Sequence, residues 1–286
     1  MRDWTCCEMH SHSTVSDGVF EPKEMAKMMA EAGVELWSLT DHDHTGGCEE
    51  AMRWAQKEGV AFVPGIEISA DWRGQSIHVL GYGYDLEDRE LGEYAATMVE
   101  ARRERIVKIL AKLKEMGVEL EMEAVDAVGG GGNLGRPHVA EAMAASGAVS
   151  TQQEAFDRYL DRSAPAYVAV SKPSVAECIE MIRRAGGMAV IAHPGHYEGI
   201  EGQWRHWVDA GLQGVEVRHP SHHPGEEEVF LAVAASYGLV RTASQDWHGR
   251  DKDGGGIKPL GQVEFPEAWR VELWEALEET ATPPVG

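Results

Sequence analysis

Residues 21–40 read EPKEMAKMMAEAGVELWSLT and predict a helix followed directly by a strand. Pro22 suits the first position of a helix, Met25 and Met29 recur at helical spacing, and Gly33 suits the helix end. The apolar run VELWSLT that follows is typical of a buried strand. A helix that returns the chain to a new strand is the repeating unit of α/β folds.

The same order recurs on both sides of this stretch. A strand at about residues 4–10 precedes it, and the helix CEEAMRWAQKEG and the strands VAFVPGIEIS and SIHVLGYGYD follow it. Later helices lead into the strands MAVIAH, QGVEVRH and GLVRTAS. About seven strands that alternate with helices predict parallel strands and, most simply, a barrel-like closure.

The stretch from about 86 to 170 interrupts this alternation with helical patterns. We therefore expect a barrel formed by residues 1–86 and 170–286, and a helical insertion at 87–169 that contributes to the substrate site. The glycine-rich segment GGGGNLG (129–135) is either a hinge or a loop whose backbone approaches a ligand.

A basic cluster in the long helix of the insertion is expected to form a solvated face, unless the insertion folds over the site and guides a distal phosphate. Its members are Arg102, Arg103, Arg105 and Lys108.

Composition limits the class of protein. The 286 residues contain 26 Lys and Arg against 48 Asp and Glu, a formal net charge of −22 that disfavours an extended nucleic-acid footprint. Four cysteines without a C-x-x-C pair suggest reduced thiols. No signal peptide or membrane span is apparent, so we expect a cytoplasmic protein. No obligate protein partner is evident.

Histidines and acids gather where the predicted strands end. On a barrel, the loops that follow the strands share one face, so these residues should converge. Imidazole with carboxylate suits zinc, manganese or iron, and nine ligands are too many for one tetrahedral ion. With Glu67 as a bridge they suffice for two or three ions. The nine are His10, His12, Asp17, His42, Glu67, His78, His193, Asp246 and His248.

The charge of such a centre would attract phosphate. Six neutral imidazoles and three carboxylates supply −3 and three divalent ions +6, which leaves about +3 in an acidic protein. Divalent ions also lower the pKa of bound water and stabilise the oxygens of an in-line displacement.

Six ordered blocks resemble the polymerase and histidinol phosphatase (PHP) family: HSHSTVSDG, LTDHDH, PGIEIS, IHVLGY, IAHPG and the D-x-H of SQDWH. The match covers essentially the whole chain. GRPHVA and GVEVRHPSH are similar to the branch of stand-alone phosphoesterases that act on nucleotides. The resemblance implies a distorted (β/α)7 TIM-like barrel with a trinuclear metal centre.

The resemblance also implies how the ligands are shared. The first ion would take His10, His12, Glu67 and Asp246, the second Glu67, His78 and His193, and the third Asp17, His42 and His248. Manganese is expected, with zinc, iron or magnesium as alternatives.

Substrate contacts follow from the same resemblance. Arg136 matches a phosphate-binding arginine of the family, unless it forms a salt bridge at a helix start. His138 would support it or simply pack. His196 stands where many relatives have arginine, so it would bind phosphate or donate a proton. His222 is a further catalytic candidate.

These observations predict a metal-dependent phosphoesterase in which a hydroxide supplied by the metal ions attacks phosphorus. The substrate would be a 3′,5′-nucleoside bisphosphate, an AMP-like nucleotide or the 5′ end of a short oligonucleotide. The alternatives are histidinol-phosphate phosphatase and an amidohydrolase, because H-x-H on a barrel also opens that superfamily. A non-catalytic binding module would have been indicated by a missing ligand.

Overall fold

The computed structural model describes residues 6–130, 132–250 and 256–284. The strands are β1 (Cys7–Glu8), β2 (Leu36–Leu39), β3 (Ala61–Trp72), β4 (Gln75–Tyr82), β5 (Met188–Ile191), β6 (Gly214–Arg218) and β7 (Val240–Ala243). The α-helices are α1 (Pro22–Glu31), α2 (Cys48–Glu58), α3 (Arg89–Glu115), α4 (Met122–Gly129), α5 (Arg136–Ala145), α6 (Gln152–Ala155), α7 (Val175–Arg184), α8 (Trp204–Asp209), α9 (Glu226–Tyr237) and α10 (Glu267–Glu278).

Local sequence signals fix several of these boundaries. Helix α1 begins with Pro22 in its first turn, and helix α7 begins after Ser174, whose hydroxyl accepts a hydrogen bond from the Glu177 amide. Helix α2 ends at Gly59, which adopts a left-handed conformation with φ of 77°. The predicted seven strands are present, with helices between them except at β3 and β4.

The seven strands form one sheet in the order β1 to β7. Beyond β1 and β7, the backbone of His12 donates to Trp247 (2.8 Å) and that of Trp247 donates to His10 (2.9 Å). These bonds join the two ends of the sheet, so the fold is the predicted distorted TIM-like barrel.

Strand β4 corrects the expectation that all strands are parallel. It pairs antiparallel with both β3 and β5, while the other neighbours are parallel. The cause is a two-residue hairpin at Arg73 and Gly74, whose φ angles are 50° and 77°. Two consecutive residues with positive φ form the turn that matches the twist of antiparallel strands.

Helices α3 to α6 have a hydrophobic core of their own. Ile106, Ile109, Leu113, Val139 and Met143 are among its fully buried members, and they lie in a cluster separate from the barrel core. The helical interruption is thus observed, whereas its status as an independent subdomain stays a prediction.

The cysteines are unpaired, as expected, and within the described residues no helix is long and apolar enough to cross a membrane. The cytoplasmic location stays a prediction.

Candidate metal centre and substrate cavity

Most of the nine predicted ligands follow the ends of strands, whereas Glu67 lies in the middle of β3, which extends beyond its predicted end. His10 and His12 follow β1, His42 follows β2, His193 follows β5, and Asp246 follows β7. His78 lies near the start of β4. Because β4 runs antiparallel, its start lies at the edge where the parallel strands end. The hairpin that sequence reasoning missed is therefore what brings His78 to the site.

Glu67 occupies the middle of the cluster and is fully buried. Its Oε2 atom lies 3.3 Å from His10 Nε2, 3.2 Å from His12 Nε2 and 2.8 Å from His42 Nδ1. Its Oε1 atom lies 2.7 Å from His78 Nδ1 and 3.1 Å from His193 Nε2. One carboxylate thus contacts five imidazoles, and its role as a bridge between metal ions stays a prediction.

The first cluster consists of His10, His12, Glu67 and Asp246. The Nε2 atoms of both histidines lie 3.0–3.3 Å from Glu67 Oε2 and from Asp246 Oδ1. A tetrahedral site with metal–ligand bonds of about 2.0–2.1 Å has ligands about 3.3–3.4 Å apart. The observed spacing therefore fits one divalent ion.

Two further clusters adjoin the first. The second contains His42, Glu67 and His78, and the third contains His12, Asp17, His42 and His248. In the third cluster, Asp17 Oδ1 lies 3.3 Å from His248 Nε2, and Oδ2 lies 3.7 Å from His42 Nε2. His193, predicted for the second ion, contacts Glu67 but lies outside these groups. The division of ligands among ions stays a prediction.

Unpartnered atoms support the fit to metal ions. Within the described residues, six buried atoms of the first and second clusters lack a hydrogen-bond partner of acceptable geometry: His10 Nε2, His12 Nε2, His42 Nδ1, His78 Nδ1, Glu67 Oε2 and Asp246 Oδ1. Buried polar atoms are normally satisfied, and these are imidazole nitrogens and carboxylate oxygens, which zinc, manganese and iron accept as ligands.

The electrostatics of the centre favour bound cations. Burial raises the pKa of the Glu67 carboxyl, but the imidazoles of His42, His78 and His10 outweigh this and hold it well below its usual value. Burial lowers the pKa of His12, and the carboxylates of Asp246 and Glu67 more than compensate and raise it to about 10. The carboxylates of this site therefore attract positive charge, whether from protons or from divalent ions.

Backbone strain also concentrates here. Among the described residues, four that are not glycine have positive φ, and three of them lie in or next to the clusters: Asp43 (48°), His193 (27°) and Asp246 (51°). Such conformations persist only where the surroundings hold them, and they gather at functional sites.

A cavity of about 430 Å³ opens beside the clusters. Asp17, His42, His78 and His193 contribute to its lining at the metal centre. Five cationic side chains line the same cavity: Arg102, Arg105, Arg136, Arg162 and Lys172. The cavity therefore joins a candidate metal centre to a basic surface inside an acidic protein.

The structure corrects the expectation of a solvated basic face on α3. Arg103 and Lys108 are exposed and pair with Asp126 and Glu104. Arg105 is instead 9% exposed, and its Nε atom has no hydrogen-bond partner within the described residues. Helix α3 therefore presents some of its cations to solvent and others to the cavity beside the candidate metal ligands.

Arg102 is held in the cavity by Asp43. This buried carboxylate accepts hydrogen bonds from the Arg102 guanidinium, from the Ser69 amide (2.7 Å) and from the Tyr94 hydroxyl (2.6 Å). Burial raises the pKa of Asp43, but Arg102 and these donors lower it to about 2. The pair ties helix α3 to the loop after β2.

The other cations lack such a partner. Among the described residues, Arg105, Arg136 and Lys172 form no ion pair with a carboxylate. Burial together with repulsion from Arg136 and Arg102 lowers the pKa of Arg105 to about 10. Burial and the neighbouring arginines lower the pKa of Lys172 to about 8, although Asp43 opposes this. An anion would relieve this repulsion.

Arg136 begins helix α5 and donates to the Leu160 carbonyl (3.0 Å), with its guanidinium over the rings of Phe156 and Tyr167. It lines the cavity, and within the described residues it forms no salt bridge with a carboxylate. Its role as a phosphate ligand stays a prediction.

The three substrate-site histidines lie in different positions. His196 is exposed and lines the cavity, with its ring 4.6 Å from that of His193. His138 accepts a hydrogen bond from the Gly135 amide (2.9 Å), which caps helix α5. His222 contacts the Val217 carbonyl through Nδ1 (2.9 Å) and accepts from the Gly195 amide through Nε2 (3.4 Å). Neither of the last two lines the cavity, and their functional roles stay predictions.

The glycine-rich segment lies against the metal centre. A Cβ at Gly132 would come within 2.2 Å of the Thr14 carbonyl oxygen, so only glycine allows this approach. Asn133 donates from its backbone to Val15 (2.7 Å) and from its side chain to the His42 carbonyl (2.7 Å). The close approach observed here is to the backbone at Thr14 and Val15, so the choice between a hinge and a loop that approaches a ligand stays open.

Sequence reasoning missed two buried polar residues beside the ligands. Glu216 is fully buried and accepts a hydrogen bond from His10. His219 has a buried side chain whose Nε2 atom lies 4.0 Å from Asp246 Oδ2. The signal for Glu216 was available, because it is the one charged residue in the apolar run GVEV.

A model of the PHP domain matches residues 8–126, and with the relatives below it shows that the chain belongs to the PHP family. The chain is 33% identical over 284 residues to a 3′,5′-nucleoside bisphosphate phosphatase of Chromobacterium violaceum, covering 95% of this chain and 96% of that protein. It is 30% identical to a 5′-3′ exoribonuclease of Haemophilus influenzae over 249 residues, 84% of this chain and 89% of the relative.

A solved structure gives the same picture of the fold. The structure described as a putative metal-dependent phosphoesterase from Bifidobacterium adolescentis superposes with a TM-score of 0.85 at 28% identity. The match covers 94% of this chain and 95% of that one. The predicted family and the predicted barrel are therefore both confirmed.

Proposed function

We propose that this chain is a phosphoric ester hydrolase that removes a phosphate from small nucleotides, and that it prefers substrates with a second phosphate. The observation that carries the proposal is a cavity that has candidate metal ligands on one part of its wall and cationic side chains on another. The printed activities of the two relatives, a nucleoside bisphosphate phosphatase and an exoribonuclease, agree with a nucleotide substrate.

Three divalent ions, with manganese as the first to test, would be held by the nine residues named above. Bound there, they would polarise a phosphoryl oxygen and lower the pKa of water at the reacting phosphorus. Glu67 would link the ions, since its two oxygens face different imidazoles. The strained backbone at His193 and Asp246 would hold both ligands in place before substrate binds.

Arg105, Arg136 and Lys172 would bind the second phosphate. Arginine forms paired hydrogen bonds with phosphate oxygens, and lysine adds a compact charge. Because two of the three residues belong to α3 and α5, the insertion would supply much of the specificity. Arg102, neutralised by Asp43, would serve mainly to hold α3 over the cavity.

His196 is the residue we assign to proton donation or to contact with the reacting phosphate. It lines the cavity and lies against His193, whereas His222 has both ring nitrogens engaged by the backbone.

The basic wall of the cavity, formed by Arg105, Arg136 and Lys172, argues against the alternative activity of a histidinol-phosphate phosphatase. Histidinol phosphate carries an ammonium group, which Arg105, Arg136 and Lys172 would repel. A bisphosphate instead supplies the anion that these cations lack. An amidohydrolase acting on a neutral amide would have no use for this wall.

The test is phosphate release by the purified protein with Mn²⁺ from a panel of substrates. The panel contains a 3′,5′-nucleoside bisphosphate, the corresponding 5′-monophosphate, a short 5′-phosphorylated RNA and histidinol phosphate. We expect the highest kcat/KM for the bisphosphate. No release from any nucleotide would refute the hydrolase, and equal values for bisphosphate and monophosphate would refute the second phosphate site.

A further inference from the structure

Glu216, in the middle of β6, is a fully buried carboxylate that no predicted ligand set includes. Its Oε1 atom lies 3.2 Å from His10 Nδ1 and accepts from the Ser244 hydroxyl (2.6 Å). Its Oε2 atom accepts from the His193 amide (2.7 Å). Three donors, which follow the ends of β1, β5 and β7, therefore converge on the Glu216 carboxylate.

We propose that Glu216 is a positioning residue that sets the metal affinity of the first cluster by fixing the proton of His10 on Nδ1. A neutral imidazole carries one proton, so a proton held on Nδ1 leaves the Nε2 lone pair free. His10 Nε2 is the atom that lies 3.3 Å from Glu67 and 3.2 Å from Asp246 and lacks a hydrogen-bond partner. This inference rests on the proposed metal centre.

The second oxygen gives Glu216 a further task at the same site. His193 has φ of 27° and ψ of 58°, a conformation that a residue with a side chain rarely adopts. The hydrogen bond from its amide to Glu216 holds this turn, and the turn aims the imidazole at Glu67. One carboxylate thus orients the ring of one ligand, His10 after β1, and the backbone of another, His193 after β5.

The substitution Glu216→Gln tests the role with little change in volume. The glutamine oxygen can replace only one carboxylate oxygen, so its amide NH2 must face either His10 Nδ1 or the His193 amide. In the first case the proton of His10 moves to Nε2. In the second case the His193 amide loses the oxygen that accepts its hydrogen bond. Loss of such an outer hydrogen bond typically weakens metal binding about 10–100-fold.

Glu8→Gln is the matched control. Glu8 is also buried, only two residues before His10, but it contacts backbone amides of His10 (3.4 Å) and Gln245 (3.5 Å) and no ligand ring. Replacing it removes a nearby carboxyl group without touching the His10 proton.

The measurement is a titration of each protein with Mn²⁺, with free Mn²⁺ read from its electron paramagnetic resonance signal. Circular dichroism and the melting temperature in chelator report folding separately. We expect Glu216→Gln to bind at least one Mn²⁺ about 10–100-fold more weakly, and Glu8→Gln to match the wild type. Wild-type affinity in a folded Glu216→Gln protein overturns the role, whereas a wild-type protein that binds no Mn²⁺ overturns the metal centre itself.

A second measurement decides the question if Glu216→Gln does not fold. Long-range proton–nitrogen correlation spectra of the zinc-loaded wild-type protein report which His10 nitrogen carries the proton. A proton on Nδ1 supports the role of Glu216. A His10 without a proton on Nδ1 overturns it.

Discussion

Replacing Arg105 by methionine should separate substrates with two phosphates from those with one. The guanidinium is buried in the cavity wall and has no carboxylate partner in the part of the chain that the structure describes. Its loss therefore removes a contact to the second phosphate and leaves no described carboxylate unpaired. A hydrogen bond to a charged group contributes about 1.5–3 kcal/mol, which corresponds to roughly 10–150-fold in kcat/KM. The value for the bisphosphate should fall by this factor and that for the monophosphate should change little.

Arg103→Met is the matched control for this experiment. Arg103 lies two residues away on α3, is half exposed and pairs with Asp126, an interaction that contributes only about 0–1 kcal/mol. Replacing Arg103 should leave kcat/KM unchanged for both the bisphosphate and the monophosphate. The reasoning is refuted if Arg105→Met lowers both substrates equally, or if neither variant changes the bisphosphate.

Three further predictions concern pH, stability and metal removal. Because the pKa of Lys172 is lowered to about 8, kcat/KM for the bisphosphate should fall as pH rises through that value, and Lys172→Arg should abolish this limb; a flat wild-type profile would contradict it. Asp43→Asn leaves Arg102 buried without its partner, so urea denaturation should show a loss of about 3–5 kcal/mol, and a loss below ~1 kcal/mol would contradict the buried pair. Treatment with EDTA should abolish phosphate release and lower the melting temperature by roughly 5–10 °C, with recovery on adding Mn²⁺; activity that survives chelation would contradict the metal centre.

The alternation of strands and helices could be predicted because each element carries its own signal. Pro22, Gly33 and Gly59 mark helix ends, and apolar runs mark buried strands. The convergence of His10 and His42 followed from this order, since the ends of parallel strands share an edge. The direction of β4 was missed although the Arg73–Gly74 turn is a local hairpin signal.

The cavity wall could not be predicted from local pattern. Arg103 and Arg105 lie in one run of charged residues on one helix, and nothing nearby in the sequence distinguishes them. Their difference arises because the insertion packs over the barrel and leaves one face of α3 inside. Lys172 likewise lines the cavity because the chain segment just before α7 passes beside it, and no local sequence pattern indicates this.

Anomalous diffraction from crystals grown with Mn²⁺ would locate the metal ions themselves. We predict three peaks beside Glu67, one of them enclosed by His10, His12, Glu67 and Asp246. A map without a peak among those four side chains would contradict the metal centre on which the proposed hydrolase depends.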